Sequence, residues 1–78
     1  MQIFVGGLDH TVTESELKAV FEPYGLVNKI ILCKDALTGR PRGFGFVTME
    51  PIQANRAIAE LDGVVLNGRK LTVAKGNR

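Results

Sequence analysis

An α+β domain, with four strands in one sheet and two helices on one of its faces, is the fold class this sequence predicts. Three observations carry it. Strand-like and helix-like hydrophobic patterns succeed one another along the chain in the order βαββαβ. Two helices of this size cover one face of a four-stranded sheet, and right-handed crossovers put both on the same side. The chain has 78 residues and no linker or low-complexity stretch to divide it, so residues 1–78 read as a single domain.

The first strand is Gln2–Gly6, a short β-forming run closed by Gly6-Gly7. Thr13-Glu14-Ser15-Glu16 has the form of a capping box, with Thr13 as N-cap and Glu16 reaching back to it. Leu17, Val20 and Phe21 then recur at helical spacing as one apolar stripe. Pro23 and Gly25 end that helix, with the Tyr24 ring packed under the stop. Val27–Lys34, β-branched and apolar, is the second strand, and Asp35–Pro41 is a loop punctuated by Gly39 and Pro41. Arg42–Met49 is the third strand. Pro51 opens a second helix whose buried stripe is Ala54, Ala57, Ile58 and Leu61. Asp62-Gly63 and Asn67-Gly68 are turn dipeptides bracketing a short extended piece at Val64–Leu66. Lys70–Ala74 is the last strand, and Gly76–Arg78 reads as a loose end.

Composition removes several function classes. Cys33 is the only cysteine and His10 the only histidine, so the chain alone builds no disulfide, zinc finger or iron–sulfur cluster, and no metal or cofactor is expected. Cys33 reads as a small strand residue and His10 as a surface or capping residue. Ser15 is the only serine and has no sequence neighbour to activate it. Gly43 and Gly45 lie inside a strand, not between a strand and a helix as a dinucleotide fingerprint requires, and there is no P-loop. The expectation is a protein without catalytic activity. The longest apolar runs, Ile30–Cys33 and Val64–Leu66, are too short to span a bilayer, and no secretory pattern opens the chain. A cytosolic or nuclear location, with no membrane contact, is the default expectation.

The net charge of +2 hides an alternation. Residues 1–25 carry −3, residues 26–43 carry +3, residues 44–68 carry −2 and the last ten residues carry +4. If the two basic segments meet in space they form an anion-binding surface; otherwise they are solvated loop and tail charges.

Strand alternation sorts the side chains into two faces. Leu71 and Val73 share one face of the last strand and must meet the helices, which leaves Lys70, Thr72 and Ala74 on the other. Ile3 and Val5 match the helix face, and so do Gly43, Gly45, Val47 and Met49, the two glycines leaving room for close helix packing. Phe4, Phe44 and Phe46 then fall on the uncovered face with Gln2, Arg42 and Thr48. These are three of only five aromatic residues, and a small domain short of core material does not ordinarily place its largest hydrophobes in solvent. The reversed phase would bury the rings, but would also bury Arg42 and Lys70 and expose Ile3, Val5, Val47, Met49, Leu71 and Val73. An exposed ring cluster could instead bind another protein. Flat rings beside basic side chains best fit a ligand that has both π-faces and phosphates.

At these residues the chain resembles a known family. Arg42-Gly43-Phe44-Gly45-Phe46-Val47-Thr48-Met49 is similar to the octapeptide of the RNA recognition motif, K/R-G-F/Y-G/A-F-V-x-F/Y, at seven of eight positions. Ile3-Phe4-Val5-Gly6-Gly7-Leu8 resembles the companion hexapeptide. Asp35, Thr38-Gly39-Arg40 and the helix pattern through Leu61 resemble family features too, so the resemblance runs from Gln2 to about Lys75. Gly7 stands where the family commonly has Asn, a form that looks like heterogeneous nuclear ribonucleoprotein A/B-type domains, as well as small single-domain members. Met49 replaces the final aromatic of the octapeptide on the helix face, which changes core packing and not the open face.

The resemblance implies a ferredoxin-like sandwich whose antiparallel sheet has the two motif strands at its centre. It implies single-stranded RNA binding, with Phe4 and Phe44 each stacked on a base, Phe46 against the sugars between them, and Arg42 on a phosphate. Arg40 in the loop and Lys29, Ile31, Cys33, Lys70, Thr72, Ala74 and Lys75 on the flanking strands would supply further contacts. Single-stranded DNA is the subsidiary ligand, since nothing in the sequence reads a 2′-hydroxyl. A protein-interaction module working through the same sheet face or the helices is the competing class. A monomer is expected.

Overall fold

The computed structural model describes residues 1–76. Its elements are β1 (Gln2–Gly6), α1 (Glu14–Phe21), β2 (Val27–Lys34), β3 (Pro41–Met49), α2 (Pro51–Leu61), β4 (Val65–Leu66), β5 (Arg69–Lys70) and β6 (Thr72–Lys75), with a single 3₁₀ turn at Glu22–Tyr24 after α1. The four-stranded sheet runs β2-β3-β1-β6 and is antiparallel throughout, while β4 and β5 form a separate hairpin. The order βαββαβ and the two-layer architecture are those expected.

Local chemistry explains where α1 starts. The Thr13 hydroxyl accepts from the Glu16 N–H at 3.1 Å, and Glu16 Oε1 accepts from the Thr13 N–H at 3.4 Å, so the capping box closes in both directions. Pro23 does not cut the chain off after Phe21 but tightens it into the 3₁₀ turn. Tyr24 is half-buried there against the core, as its position between Pro23 and Gly25 predicts. α2 begins with Pro51, where its fixed φ and missing N–H do no harm.

The strand phase is settled by burial. Ile3, Val5, Val47 and Met49 are 0 % exposed, and Leu71 and Val73 are 2 % exposed. They pack with Leu17 and Phe21 of α1 and with Ala54, Ala57 and Leu61 of α2 in one core that contains no buried polar or charged residue among those described. The core therefore lies between the sheet and the helices, and the opposite face of the sheet has no covering element. The described helices include none long and apolar enough to cross a membrane.

Three expectations need correction. The last strand is not Lys70–Ala74. Lys70 lies opposite Val65 in the β4–β5 hairpin, turned by Asn67 and Gly68 at φ of 50° and 81°, and only Thr72–Lys75 pairs with β1. The pairing satisfies two edges at once, because Leu71 between them donates its N–H to Val64 and gives its carbonyl to Gly63. Gly76 is no loose end: its N–H donates to Gln2 O at 2.8 Å and prolongs the β1–β6 ladder, while Asn77 and Arg78 lie outside the described residues. The strand glycines do not make room for helices either. A Cβ on Gly45 would strike the Ile31 carbonyl oxygen, and one on Gly43 would come within 3.2 Å of the Leu8 carbonyl, so both positions are small because neighbouring backbone is close.

Candidate nucleic-acid interface

β3 and β1 are the two central strands, and their register brings the three phenylalanines together. Phe4 is paired with Phe46, and Gly6 with Phe44. A strand alternates its side chains, so all three rings rise from the uncovered face. The centroids are 6.1 Å apart for Phe4 and Phe44, 5.9 Å for Phe4 and Phe46, and 6.5 Å for Phe44 and Phe46. The orientations divide the three. Phe4 and Phe44 lie within 30° of a common plane, whereas Phe46 is tilted 65° from Phe4 and 86° from Phe44. Two rings thus offer similarly directed faces, and the third stands edge-on beside them. All three are half-buried, their edges packed on one another.

Glycine shapes the platform from below. A Cβ on Gly6 would lie 2.9 Å from Cε2 of Phe4, so the ring reclines over the space that a side chain at Gly6 would fill. At the same end of the cluster the Arg42 guanidinium lies 5.6 Å from the centroid of Phe44, the residue paired with Gly6, within cation–π range.

The flanking strands place the remaining candidates unevenly. On β2, Lys29 is paired with Thr48 and Ile31 with Phe46, which puts both on the aromatic face, and Ile31 is 37 % exposed there. Cys33 is half-buried in the irregular stretch between the Leu32–Gly45 and Lys34–Pro41 pairs, where β3 carries Arg42, Gly43 and Phe44 against a single β2 residue. Gly43, at φ 86°, absorbs that excess. On β6, Thr72 is opposite Gly6 and Ala74 opposite Phe4, so both border the rings, and both are exposed. Lys75 is opposite the buried Ile3 and therefore alternates to the helix side of the edge strand. Lys70 is off the main sheet, its stem close to Gly63. Arg40 lies before β3 in the loop, with His10 and Pro41 beside it.

The two basic segments do not meet. β2 and its loop form one edge of the sheet, and β6 forms the other, with the aromatic strands between them. Positive charge flanks the rings on both sides. The acids, apart from Asp35 and Asp9, sit on the helices and their ends. Asp35 is turned to its own loop: its carboxylate accepts from the N–H groups of Leu37 and Thr38 at 2.8 and 3.1 Å, which hold its pKa below the ordinary carboxylate value. Two polar residues of the open face were passed over as site candidates. Gln2 and Thr48 are paired with each other next to Phe4 and Phe46, on the face where strand alternation placed them although it gave them no role. Among the described residues there is no cluster of three metal-ligating side chains.

The family model for the RNA recognition motif matches residues 3–72, nearly the whole chain and every residue of the platform. This chain belongs to the RNA recognition motif family. Within it, the chain is 51 % identical over 76 residues to "Putative RNA-binding protein RbpD" of Nostoc sp. (strain PCC 7120), covering 96 % of this chain and 81 % of that one. Among solved structures, that of RNA Binding Protein PG1 is 42 % identical with a TM-score of 0.96, and covers 100 % of this chain and 95 % of the other. The Sex-lethal RNA recognition domains 1 and 2 of Drosophila melanogaster match at 28 % identity with a TM-score of 0.90, this chain spanning 50 % of that longer one. In this RNA recognition motif the octapeptide strand is β3 and the hexapeptide strand is β1, adjacent and central.

Proposed function

We propose that this domain binds single-stranded RNA on the uncovered sheet face and catalyses no reaction of its own. The observation that carries the reading is the cluster of Phe4, Phe44 and Phe46 on the one face that no helix covers. Phe4 and Phe44, tilted 30° from one another, take one base each, and Phe46, edge-on beside them, meets the sugars between those bases. Arg42 beside Phe44 contacts a phosphate, Lys29 and Arg40 attract the backbone on the β2 side, and Thr72 and Ala74 meet base edges on the β6 side. Lys70 and Lys75 add positive potential at that edge without facing the rings. The similarity to RNA-binding proteins over almost the full chain supports the same reading.

Magnitudes set the strength. Stacking contributes about 1–3 kcal/mol per base, and much of that is offset by the entropy lost on association. Each phosphate contact adds a salt-sensitive term, with log K falling by roughly 0.7 per contact per decade of salt. One domain thus binds a few nucleotides with modest, salt-dependent affinity, as a single copy.

The test is a titration of the isotopically labelled domain with a pool of short random-sequence RNA, followed by amide NMR and repeated at high salt. Shifts centred on β1 and β3 that weaken with salt are expected. Unmoved strand signals in a folded sample would overturn the reading and direct the search to a protein partner on the helices.

A further inference from the structure

Beyond the end of the platform, the loop from β1 to α1 and the loop from β2 to β3 enclose a cleft of about 470 Å³ lined by His10, Arg40 and Pro41. The roots of the two loops are tied, since the Leu8 N–H donates to Gly43 O at 2.9 Å. The cleft thus opens where β1 ends and β3 begins, the end of the sheet at which Arg42 lies over Phe44.

The charges around it are arranged for an anion. The acids of the two loops are Asp9 in the first and Asp35 in the second, and both accept hydrogen bonds from their own loop. Asp9 accepts from the Thr11 N–H at 3.1 Å and from the Thr11 hydroxyl, and Asp35 accepts from the N–H groups of Leu37 and Thr38. Against them stand Arg40, which lines the cleft, and Arg42 at the same end of the sheet. Among the described residues none of these guanidinium groups is in an ion pair. His10 turns Nδ1 toward Asp9 Oδ1 at 3.7 Å, which leaves Nε2 directed elsewhere, on a side chain 77 % exposed.

We infer that this cleft holds an internal phosphate of the bound strand, one step beyond the base on Phe44, between the Arg40 guanidinium and the His10 imidazole. A protonated His10 strengthens that contact, so RNA binding takes up a proton and tightens as pH falls. The inference rests on the RNA-binding reading above and adds to it a second anchoring point and a pH response.

The experiment measures anisotropy of a labelled pool of hexanucleotides with hydroxyl ends at about pH 5.8 and about pH 8, at constant ionic strength. The unaltered protein should bind several-fold more tightly at the lower pH, as a charged imidazole beside a phosphate requires. His10→Gln should bind equally at both pH values, and Arg40→Gln should weaken binding at both and lower the salt slope by about 0.7. Both side chains are exposed, and an unchanged amide spectrum verifies the fold. A pH response that persists in His10→Gln, or its absence from the unaltered protein, would overturn the inference while leaving RNA binding intact. A response seen only with 5′-phosphorylated strands would overturn the internal position. Failure of the unaltered protein to bind at either pH would remove the underlying reading and this one with it.

Discussion

On the proposed reading, single side chains of the open face carry different parts of the binding. Phe44→Ala removes a ring face but no core contact, so affinity for short RNA should fall about tenfold, within the cost of one lost stack, while urea unfolding shifts little. Phe44→Ala together with Phe46→Ala should lose more and still fold. Arg42→Gln tests a different interaction, because its loss should lower the slope of log K against log salt by about 0.7 and weaken all sequences alike. Gly6→Ala separates ring orientation from ring presence. The added methyl meets Phe4 Cε2 at 2.9 Å, and a ring is the movable end of its side chain, so the fold should persist while Phe4 tilts and the RNA affinity falls several-fold. All of these positions were legible in the sequence, since period-two alternation and the Leu71–Val73 pair fixed the phase. The side taken by Lys75 was legible too, since the Leu71–Val73 phase carried two residues further puts it with the helices.

Among the elements, α1 is eight residues long and leans on its cap. Thr13→Ala should cost about 1 kcal/mol, read as a lower urea midpoint with unchanged slope. The β2–β3 loop is held by Asp35, whose carboxyl is depressed below its ordinary 3.8 by the bonds from Leu37 and Thr38. A lowered folded-state pKa means that the contribution is fully present above the unfolded value and is lost as pH falls through the folded one. Leu37 and Thr38 amide signals should therefore be unchanged down to about pH 4 and move together below it. Both the capping box and the turn chemistry are local in sequence and were readable for that reason. The division of the last strand was not. Asn67-Gly68 announced a turn, but that Lys70 would pair with Val65 while Thr72 pairs with Gly6 is a matter of which free edge lies within reach.

For the molecule as a whole, one core joins both layers. Phe21 is fully buried beneath the sheet, and Phe21→Ala should cost about 3–5 kcal/mol. A chain this short has a total stability of only about 4–12 kcal/mol, so the variant should lose much of its urea resistance or fail to fold. The same layering segregates charge: acids crowd the helices, bases flank the rings at both edges, and the central strands carry no charge between Gln2 and Leu8 or between Gly43 and Met49. A polyanion is thereby drawn to the sheet face, and raising the salt should slow association more than it speeds dissociation.

The sequence by itself determined the order of the elements, the side of the sheet on which the core lies and the identity of the three rings. Each of these follows from periodicity or from a motif that is contiguous along the chain. Only the tertiary structure decided the 30° between Phe4 and Phe44 against the upright Phe46, the placement of the two basic segments on opposite edges, and the lining of one cleft by His10 and Arg40 from two loops. The glycines mark the same boundary. Their positions in the strand were plain, but their reason is the Ile31 and Leu8 carbonyls, which strand pairing and loop docking bring from distant parts of the chain. Alternation is a property of one strand and can be read along it; register, ring tilt and the company of loops arise only when strands pair.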